Sequence, residues 1–172
     1  KFPLGLLGAK SKVEYVPLGI VGNISPWNFP INLALAPSAD IFGAGNRVML
    51  KPSELSPQTS QAMAEIIAGS FDETEFGVVL GGPEISAECS KLKFDHLLFT
   101  RSTSIARLVA QSAAPDLVPV TLELGGKNPV VISSTADIKV AADKVMWAQT
   151  FNGGQICLCP DTVFVPEHLV EE

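Results

Sequence analysis

The strongest constraint on the fold is a regular alternation of short apolar runs with stretches of helical periodicity. The apolar runs are rich in branched residues, which is typical of buried strands. Seven strands are predicted: Val16–Ser25, Arg47–Leu50, Gly77–Leu80, His96–Thr100, Val118–Leu124, Pro129–Ile132 and Thr162–Val165. Short strands that alternate with helices favour an α/β fold, in which helices cover both faces of a parallel sheet.

The helical stretches are identified by apolar residues spaced three and four apart and by residues typical of helix starts. Ser56 is placed to cap a helix that begins at Pro57, with Met63, Ile66 and Ile67 on one face. The same spacing predicts a helix after Ser102, through Ile105, Leu108, Val109 and Ser112, and one after the expected N-cap Asp137, through Ile138, Ala141, Ala142 and Val145. A fourth helix is expected over Pro30–Gly43, in spite of Pro37.

Composition excludes several classes of protein. Hydrophobic residues make up 47% of the 172 residues and charged residues 17%, which is typical of a globular chain. The net charge of −6 and the absence of any basic run argue against a nucleic-acid partner. No apolar stretch reaches the roughly 20 residues that a membrane span needs. The apolar start is broken by Pro3 and Gly5, so we interpret it as an internal segment rather than a signal peptide.

Three cysteines cannot all pair, and Cys157 and Cys159 are too close in sequence for an ordinary structural bridge. Free thiols favour a cytoplasmic location. Cys89 falls on a probable helix and is expected in the core. No metal site is predicted, because there is no second cysteine pair and His96 and His168 show no ligand spacing.

Polar and glycine-rich segments follow the predicted strands at their carboxyl ends. An open parallel sheet usually binds its ligand at that edge, so the pattern predicts a ligand crevice there. The segments are Ser25-Pro26-Trp27-Asn28, Lys51-Pro52-Ser53-Glu54, Thr100-Arg101-Ser102 and Glu123-Leu124-Gly125-Gly126-Lys127.

A phosphate site in this crevice would have to be built without the common glycine-rich turn, since no G-x-G-x-x-G follows the first strand. The helix after Ser102 is a substitute, because free N–H groups and the helix dipole favour a pyrophosphate at a helix start. The simpler alternative is that Ser102 only caps its helix. Lys51 and Glu54 have the donor and the acceptor for ribose hydroxyls, and the alternative for them is a solvated turn.

Five segments, taken together, resemble the aldehyde dehydrogenase superfamily in order and approximate spacing. They are Pro26-Trp27-Asn28-Phe29-Pro30, Lys51-Pro52-Ser53-Glu54, Phe99-Thr100-Arg101-Ser102-Thr103, Leu122-Glu123-Leu124-Gly125-Gly126-Lys127 and Gly154-Gln155-Ile156-Cys157. The resemblance extends from Tyr15 to Pro166 and implies a Rossmann-like sheet. Three further stretches look closest to the coniferyl and fatty aldehyde dehydrogenase branch: Val120-Thr121-Leu122-Glu123, Phe94-Asp95-His96-Leu97-Leu98-Phe99-Thr100 and Cys159-Pro160-Asp161.

The resemblance implies catalytic roles for three residues in the oxidation of an aldehyde to a carboxylic acid. Cys157 matches the nucleophile, which forms a thiohemiacetal and then a thioester. Glu123 matches the general base that activates water for hydrolysis of the thioester. Asn28 matches the side chain that, with the backbone N–H of Cys157, holds the oxyanion.

Each of these residues has a structural alternative. A lone cysteine is usually a small buried apolar residue, although Gly153 and Gly154 before Cys157 would let the backbone approach a ligand closely. Glu123 could be a buried and partnered carboxylate. Asn28 could simply be a turn residue.

The resemblance also implies a nicotinamide dinucleotide cofactor. Lys51 and Glu54 match contacts to the adenosine ribose and Ser102 the contact to the pyrophosphate, and Trp27 and Gly125 are assigned to the cofactor site with their motifs. The Glu54 carboxylate would repel a 2′-phosphate and so favours NAD, while Lys51 nearby leaves NADP open. Arg101 is a departure, since most of the family has glycine there; the arginine could pair with phosphate, cover the groove or block it.

Members of the family are far longer than this chain. Residues 1–125 are therefore predicted to be an NAD(P)-binding domain that lacks its earliest part, and residues 126–172 the opening of a catalytic domain. We expect exposed apolar surface on the incomplete second part and little or no activity of the 172 residues alone. The parent protein is expected to be a homo-oligomer whose substrate is a small-molecule aldehyde. The resemblance to the coniferyl and fatty aldehyde dehydrogenase branch suggests an aromatic or a long aliphatic aldehyde.

Two other functions remain open from the sequence. The chain could be a non-catalytic nucleotide-binding module from a truncated or degenerate dehydrogenase, which Arg101 and the missing length suggest. It could also be a structural or interaction domain with no cofactor, although such a domain has no need of Asn28, Glu123 and Cys157 together.

Overall fold

The computed structural model describes residue 8 and residues 10–171. The apolar start that we interpret as an internal segment falls on residues 1–8, of which only Gly8 is described. The five helices of the described part are α1 (Asn32–Gly43), α2 (Pro57–Ala68), α3 (Pro83–Cys89), α4 (Thr103–Ala113) and α5 (Ile138–Thr150). The strands are β1 (Ile20–Ile24), β2 (Arg47–Lys51), β3 (Phe76–Val78), β4 (His96–Arg101), β5 (Val120–Leu124), β6 (Asn128–Val131) and β7 (Pro160–Phe164).

Five strands form one parallel sheet in the order β3-β2-β1-β4-β5. The strand order reverses next to β1, because β2 and β3 extend the sheet on one side and β4 and β5 on the other. The second sheet pairs β6 with β7, also in parallel, and α5 lies between them in sequence. The predicted α/β fold with a Rossmann-like parallel sheet is confirmed.

Two apolar clusters cover opposite faces of the large sheet, because neighbouring residues of β2 point to opposite sides. Val48 and Leu50 pack with α1 and α2 residues, whereas Met49 packs against the cluster on the other side. That second cluster contains Leu97 and Phe99 of β4 together with residues of α3 and α4. Cys89 is one of its buried members, so its prediction as a core residue is confirmed.

The first predicted strand is too long at its amino end. Val16 and Leu18 are exposed, and β1 begins only at Ile20. Pro17 has no N–H to donate to a ladder. The side-chain oxygen of Asn46 accepts the N–H groups of Leu18 and Gly19 instead, at 2.6 and 3.1 Å.

Helix faces were predicted with mixed success. Asp137 caps α5 as expected, since its carboxylate accepts the N–H of Val140 at 3.0 Å. Ser56 is the N-cap residue of α2, which begins at Pro57 as predicted, but its side chain makes no capping bond. The prediction that Ile66 lies on the same face as Met63 and Ile67 is wrong, because Ile66 is 67% exposed while the other two are buried.

The predicted apolar face of α4 differs from the buried one. Ala106, Val109 and Ala113 pack against the sheet, whereas Ile105 and Leu108 are exposed and line a crevice. In α5 no residue is fully buried. Met146, Trp147 and other large apolar side chains of the second sheet and its helix are exposed, in line with the apolar surface expected there.

Candidate active site

A crevice of 1270 Å³ opens at the carboxyl edge of the five-stranded sheet. Its walls come from the segments after β1, β4 and β5, from the start of α4 and from the loop before β7. The carboxyl ends of parallel strands share one edge, which is why segments far apart in sequence meet here. The crevice predicted from the strand ends is therefore present. Its lining includes Trp27, Asn28, Glu54, Arg101, Ser102, Glu123, Gly125 and Cys157.

Cys157 is exposed and lies in the loop between a short 3₁₀ turn (Phe151–Gly154) and β7. It packs beside the residue that follows β5: a Cβ built on Gly125 would lie 3.9 Å from the Cβ of Cys157. The alternative of a buried apolar cysteine applies to Cys89 and not to Cys157. An exposed thiol at a ligand crevice is accessible to an electrophile.

Side-chain amides tie the cysteine loop to the large sheet. Asn28 donates its Nδ2 to the carbonyl of Gln155 at 2.6 Å, and Asn152 donates to the carbonyl of Asn28 at 2.9 Å. From the other side, Asn128 at the start of β6 donates to the carbonyls of Cys157 and Cys159, at 2.8 and 3.0 Å. Hydrogen bonds thus hold the cysteine loop before the thiol, at Gln155, and from Cys157 to Cys159.

The glycines before Cys157 have a conformational role. Gly153 and Gly154 adopt φ of +64° and +76°, and Asn152 adopts φ of +50°. A Cβ at Gly154 would lie 3.1 Å from the carbonyl oxygen of Gln149. The chain needs left-handed residues here to turn from α5 into the cysteine loop, which is a different reason from the close approach to a ligand that the sequence suggested.

Glu123 is exposed and lines the crevice. Val120, Leu122 and Leu124 of the same strand pack against the α3–α4 cluster, and strand alternation places Glu123 on the other face. The alternative of a buried and partnered Glu123 is wrong. The Glu123 carboxylate is therefore accessible to water within the crevice.

Asn28 is half-buried in the loop after β1 and uses both its backbone and its side chain. A primary amide has two N–H donors, and the bond to Gln155 occupies one of them. The second N–H is available to a ligand. Asn28 therefore does more than shape a turn: it bridges the large sheet to the cysteine loop.

Lys51, at the end of β2, is buried with only 2% of its side chain exposed. Its Nζ donates to the carbonyl of Pro52 at 2.7 Å and lies 3.8 Å from Oε2 of Glu54. Loss of hydration on burial lowers the pKa of Lys51, and the Glu54 carboxylate opposes this shift. The alternative of a solvated turn is wrong for Lys51, although its ammonium lies beneath the crevice lining rather than in it.

Glu54 lines the crevice and is held by Arg101. Nη2 of Arg101 donates to Oε1 of Glu54 at 2.9 Å and to Oγ of Ser53 at 3.1 Å. Burial acts to raise the pKa of Glu54, but the hydrogen bond and charge of Arg101, with Lys51, hold that pKa below its ordinary value.

Ser102 occupies the N-cap position of α4 and lines the crevice, yet its hydroxyl makes no capping bond. Its Oγ lies 3.2 Å from that of Ser104. The alternative that Ser102 serves only as a side-chain cap is not supported by these contacts. The N–H groups of the first turn of α4 have no intrahelical acceptor, which suits an anion.

Sequence reasoning missed three residues of this site: Asn128, Asn152 and Gln155. Their contacts join positions far apart in the chain, such as Asn28 and Gln155, so neither spacing nor periodicity signals them. The one local signal is Asn152 itself, because asparagine next to two glycines is typical of left-handed turns.

Two classes of feature are absent from the described part of the chain. No three His, Cys, Asp or Glu side chains come together as metal ligands within residues 10–171. None of the helices described above has the length and apolarity needed to cross a membrane.

Comparisons with known proteins agree with one another. A profile of the Aldehyde dehydrogenase family matches residues 3–172. The chain is 57% identical over 164 residues to a coniferyl aldehyde dehydrogenase of Pseudomonas sp. (strain HR199 / DSM 7063). That alignment covers 95% of this chain and 34% of the relative, so the chain spans about a third of the length of such relatives.

Solved structures resemble this fold closely. The substrate-bound AldH of Staphylococcus aureus is 38% identical with a TM-score of 0.87, over 91% of this chain and 34% of that one. An aldehyde dehydrogenase of Mycobacterium tuberculosis complexed with NAD+ is 34% identical with a TM-score of 0.83, over 90% and 32% of the two chains.

The Asn128 bonds to the cysteine loop generate a prediction. Asn128→Ala removes the donor to the carbonyls of Cys157 and Cys159, so amide hydrogen exchange over residues 155–159 should become roughly tenfold faster. Exchange in β1 and β4 should not change. Gln61→Ala, which removes an exposed amide on α2, is the matched control. Unchanged exchange in the cysteine loop of Asn128→Ala would show that these bonds do not hold it.

The lowered pKa of Glu54 generates a second prediction. A carboxylate with a lowered pKa stabilises the fold above its unfolded pKa, and this contribution is lost as the pH falls through the folded pKa. Arg101→Gln should therefore lower the free energy of unfolding by about 1–2 kcal/mol at pH 7. The difference should shrink once acid protonates Glu54 in both proteins, as measured by urea denaturation across the pH range.

The control for this experiment is Arg107→Gln, at an exposed position of α4 that does not line the crevice. The small effect of Arg107→Gln on the free energy of unfolding should be the same at neutral and at acid pH. An Arg101→Gln effect of equal size at pH 7 and at an acid pH that protonates Glu54 in both proteins would contradict the ion pair as its cause.

Proposed function

The chain belongs to the aldehyde dehydrogenase family, and we propose that it is part of a longer NAD(P)-dependent enzyme that oxidises an aldehyde to a carboxylic acid through Cys157. The resemblance to the coniferyl branch, seen in the sequence motifs, is confirmed by the relatives. The observation that carries the proposal is the crevice itself: an exposed thiol, a carboxylate and a side-chain amide, from three different segments, line one cavity.

Cys157 is the proposed nucleophile. Its exposed thiol loses its proton to solvent, the sulfur bonds to the aldehyde carbon, and the carbonyl oxygen takes up the electron pair of the broken π bond. Asn28 is proposed to donate its second N–H to that oxygen. A donor of this kind contributes roughly 2.7–4 kcal/mol to the transition state.

Glu123 is the proposed general base. A nicotinamide cofactor, when bound, would supply the acceptor for the hydride that the thiohemiacetal carbon loses as the thioester on Cys157 forms. Glu123 then takes a proton from water, the water oxygen adds to the thioester carbon, and the sulfur departs with release of the carboxylic acid. The exposure of Glu123 in the crevice supports this role, because the base must reach solvent water.

The residues of the crevice suit a dinucleotide. The start of α4, with Ser102, supplies N–H donors for a pyrophosphate. Glu54 supplies a carboxylate for ribose hydroxyls, with Lys51 as its buried countercharge. Trp27 and Gly125 line the same cavity, Trp27 with an indole that is 41% exposed. The M. tuberculosis relative complexed with NAD+ supports the cofactor class.

An aromatic aldehyde of the coniferyl type is the proposed substrate class, since the relatives named above act on coniferyl aldehyde by their names. A long aliphatic aldehyde is the alternative for this branch. Three free thiols favour a reducing compartment, so we place the parent protein in the cytoplasm. The resemblance to the family implies that the parent is a homo-oligomer. Residues 1–125 and 126–172 remain our predicted division into a cofactor domain and the opening of a catalytic one.

A second candidate function is a nucleotide-binding module without catalysis. One observation favours it: Arg101 already occupies Oε1 of Glu54. Binding of cofactor without turnover by the longer parent would support this module over the enzyme.

The nucleophile generates a prediction for the parent protein. Cys157→Ala should reduce aldehyde-dependent NADH production by at least about a thousandfold, because it removes the atom that bonds to the substrate. Cys89→Ala, at a buried thiol that does not line the crevice, should retain most of the activity. Equal activities of the two variants in a spectrophotometric assay would refute the assignment of Cys157.

The 172-residue chain by itself should show little or no dehydrogenase activity. Its second sheet has two strands, and large apolar side chains such as Trp147 and Phe164 are exposed around it. An aldehyde panel assayed with NAD and with NADP tests this, with the parent protein as the positive control. Robust NADH production by the purified 172 residues would contradict the prediction.

A further inference from the structure

Arg101 is a charged side chain of the crevice that the proposed chemistry does not use. It ends β4, and its side chain is 16% exposed. Its guanidinium contacts Glu54, the residue proposed to receive the adenosine ribose. Any dinucleotide in this crevice would therefore meet the arginine and the carboxylate together.

The ion pair bridges the two strands that flank β1. Ile24, at the end of β1, pairs with Lys51 of β2 on one side and with Phe99 of β4 on the other. Glu54 lies three residues beyond Lys51, and Arg101 two residues beyond Phe99. Their contact at 2.9 Å thus crosses the carboxyl end of β1, at the point where the strand order reverses. Parallel sheets bind nucleotides at that point.

Arg101 changes the charge that a ligand meets there. Glu54 alone would present one negative charge, which repels a phosphate. With Lys51 and Arg101 around it, the three groups carry a net charge of +1. Glu84, at the exposed start of α3, has the smallest of the charge effects on the pKa of Lys51.

The remaining donors of Arg101 suit a phosphate group. The hydrogen bonds described for its guanidinium both start from Nη2. A guanidinium has five N–H donors in a planar fork, so Nε and Nη1 retain three that can bind phosphate oxygens. The same contact occupies Oε1 of Glu54, which weakens the acceptor that ribose hydroxyls need.

We propose that Arg101 is a specificity-determining residue that lets the crevice accept a dinucleotide phosphorylated on the 2′-oxygen of the adenosine ribose. The arginine pairs with the 2′-phosphate and shields it from Glu54. This inference rests on the proposed function, since it assumes that a nicotinamide dinucleotide binds in the crevice. It reverses the preference for NAD that Glu54 alone would produce.

Calorimetric titration of the longer parent protein with NAD⁺ and with NADP⁺ tests the proposal. The wild type should bind NADP⁺ at least as tightly as NAD⁺. Arg101→Gln should weaken NADP⁺ binding by about tenfold to a hundredfold, because it removes charged hydrogen bonds to phosphate. NAD⁺ affinity should stay constant or increase. Arg101→Lys, which keeps the charge and loses the fork, should fall between the two.

Arg107→Gln is the matched control, because it removes an exposed arginine of α4 away from the crevice and should change neither affinity. Circular dichroism establishes that each variant is folded. The preference of the wild type for NADP⁺ should also decline as salt rises, a dependence that a purely structural role would not produce.

Four results would overturn the proposal. Equal weakening of both cofactors by Arg101→Gln would make Arg101 a structural residue, and tighter binding of both would make it a block across the crevice. Absence of any binding by the wild type and by Arg107→Gln would overturn the cofactor site itself, and this inference with it. Binding of both cofactors without any change in their ratio would overturn the inference alone.

Discussion

The crevice depends on the parallel pairing of β1 with β2 on one side and β4 on the other. Ile24 faces Lys51 and Phe99 in these two ladders, so the segments that follow the three strands begin at one level. Backbone hydrogen bonds hold this level, and apolar clusters on both faces keep the strands from sliding, because a shift by one residue would reverse every side chain. Asn28, Glu54 and Arg101 meet only because this register is maintained.

A second layer of contacts brings the thiol to the edge that the sheet creates. Cys157 lies 33 residues after Leu124, counted along the chain, and reaches Gly125 through a turn that needs left-handed residues at Asn152 and Gly153. Amide side chains then fasten the loop from both sides. Neutral amides suit this task, since they bind backbone carbonyls without adding charge beside a thiol whose reactivity depends on its local field.

The charged residues of the crevice are arranged around a buried lysine. Lys51 is buried at the end of a core strand, which is costly unless a partner compensates for the lost hydration. Glu54 provides that compensation from above, and Arg101 in turn holds Glu54. Lys51, Glu54 and Arg101 thus form a series of ion pairs from the core to the crevice. A substitution of Arg101 therefore alters Glu54, the carboxylate that compensates the buried charge of Lys51.

The sequence by itself determined the alternation of strands and helices, hence the parallel sheet, the buried Cys89 and the sheet edge at which the crevice opens. These follow from local periodicity and from the rule that parallel strands end at one edge. The motifs also identified the family, because they occur along the chain in the order and approximate spacing of the family. Local patterns could not decide strand ends such as Ile20, or which apolar residues of α4 face the sheet, since both depend on partners distant in sequence. Only the tertiary structure decided that Glu123 is exposed, that Lys51 is buried beneath Glu54, and that Arg101 crosses the end of β1 to bind Glu54. The physical reason is that exposure and ion pairing depend on which segments meet in space. Glu54 and Arg101 are 47 positions apart in sequence, and the strand order of the sheet brings them together.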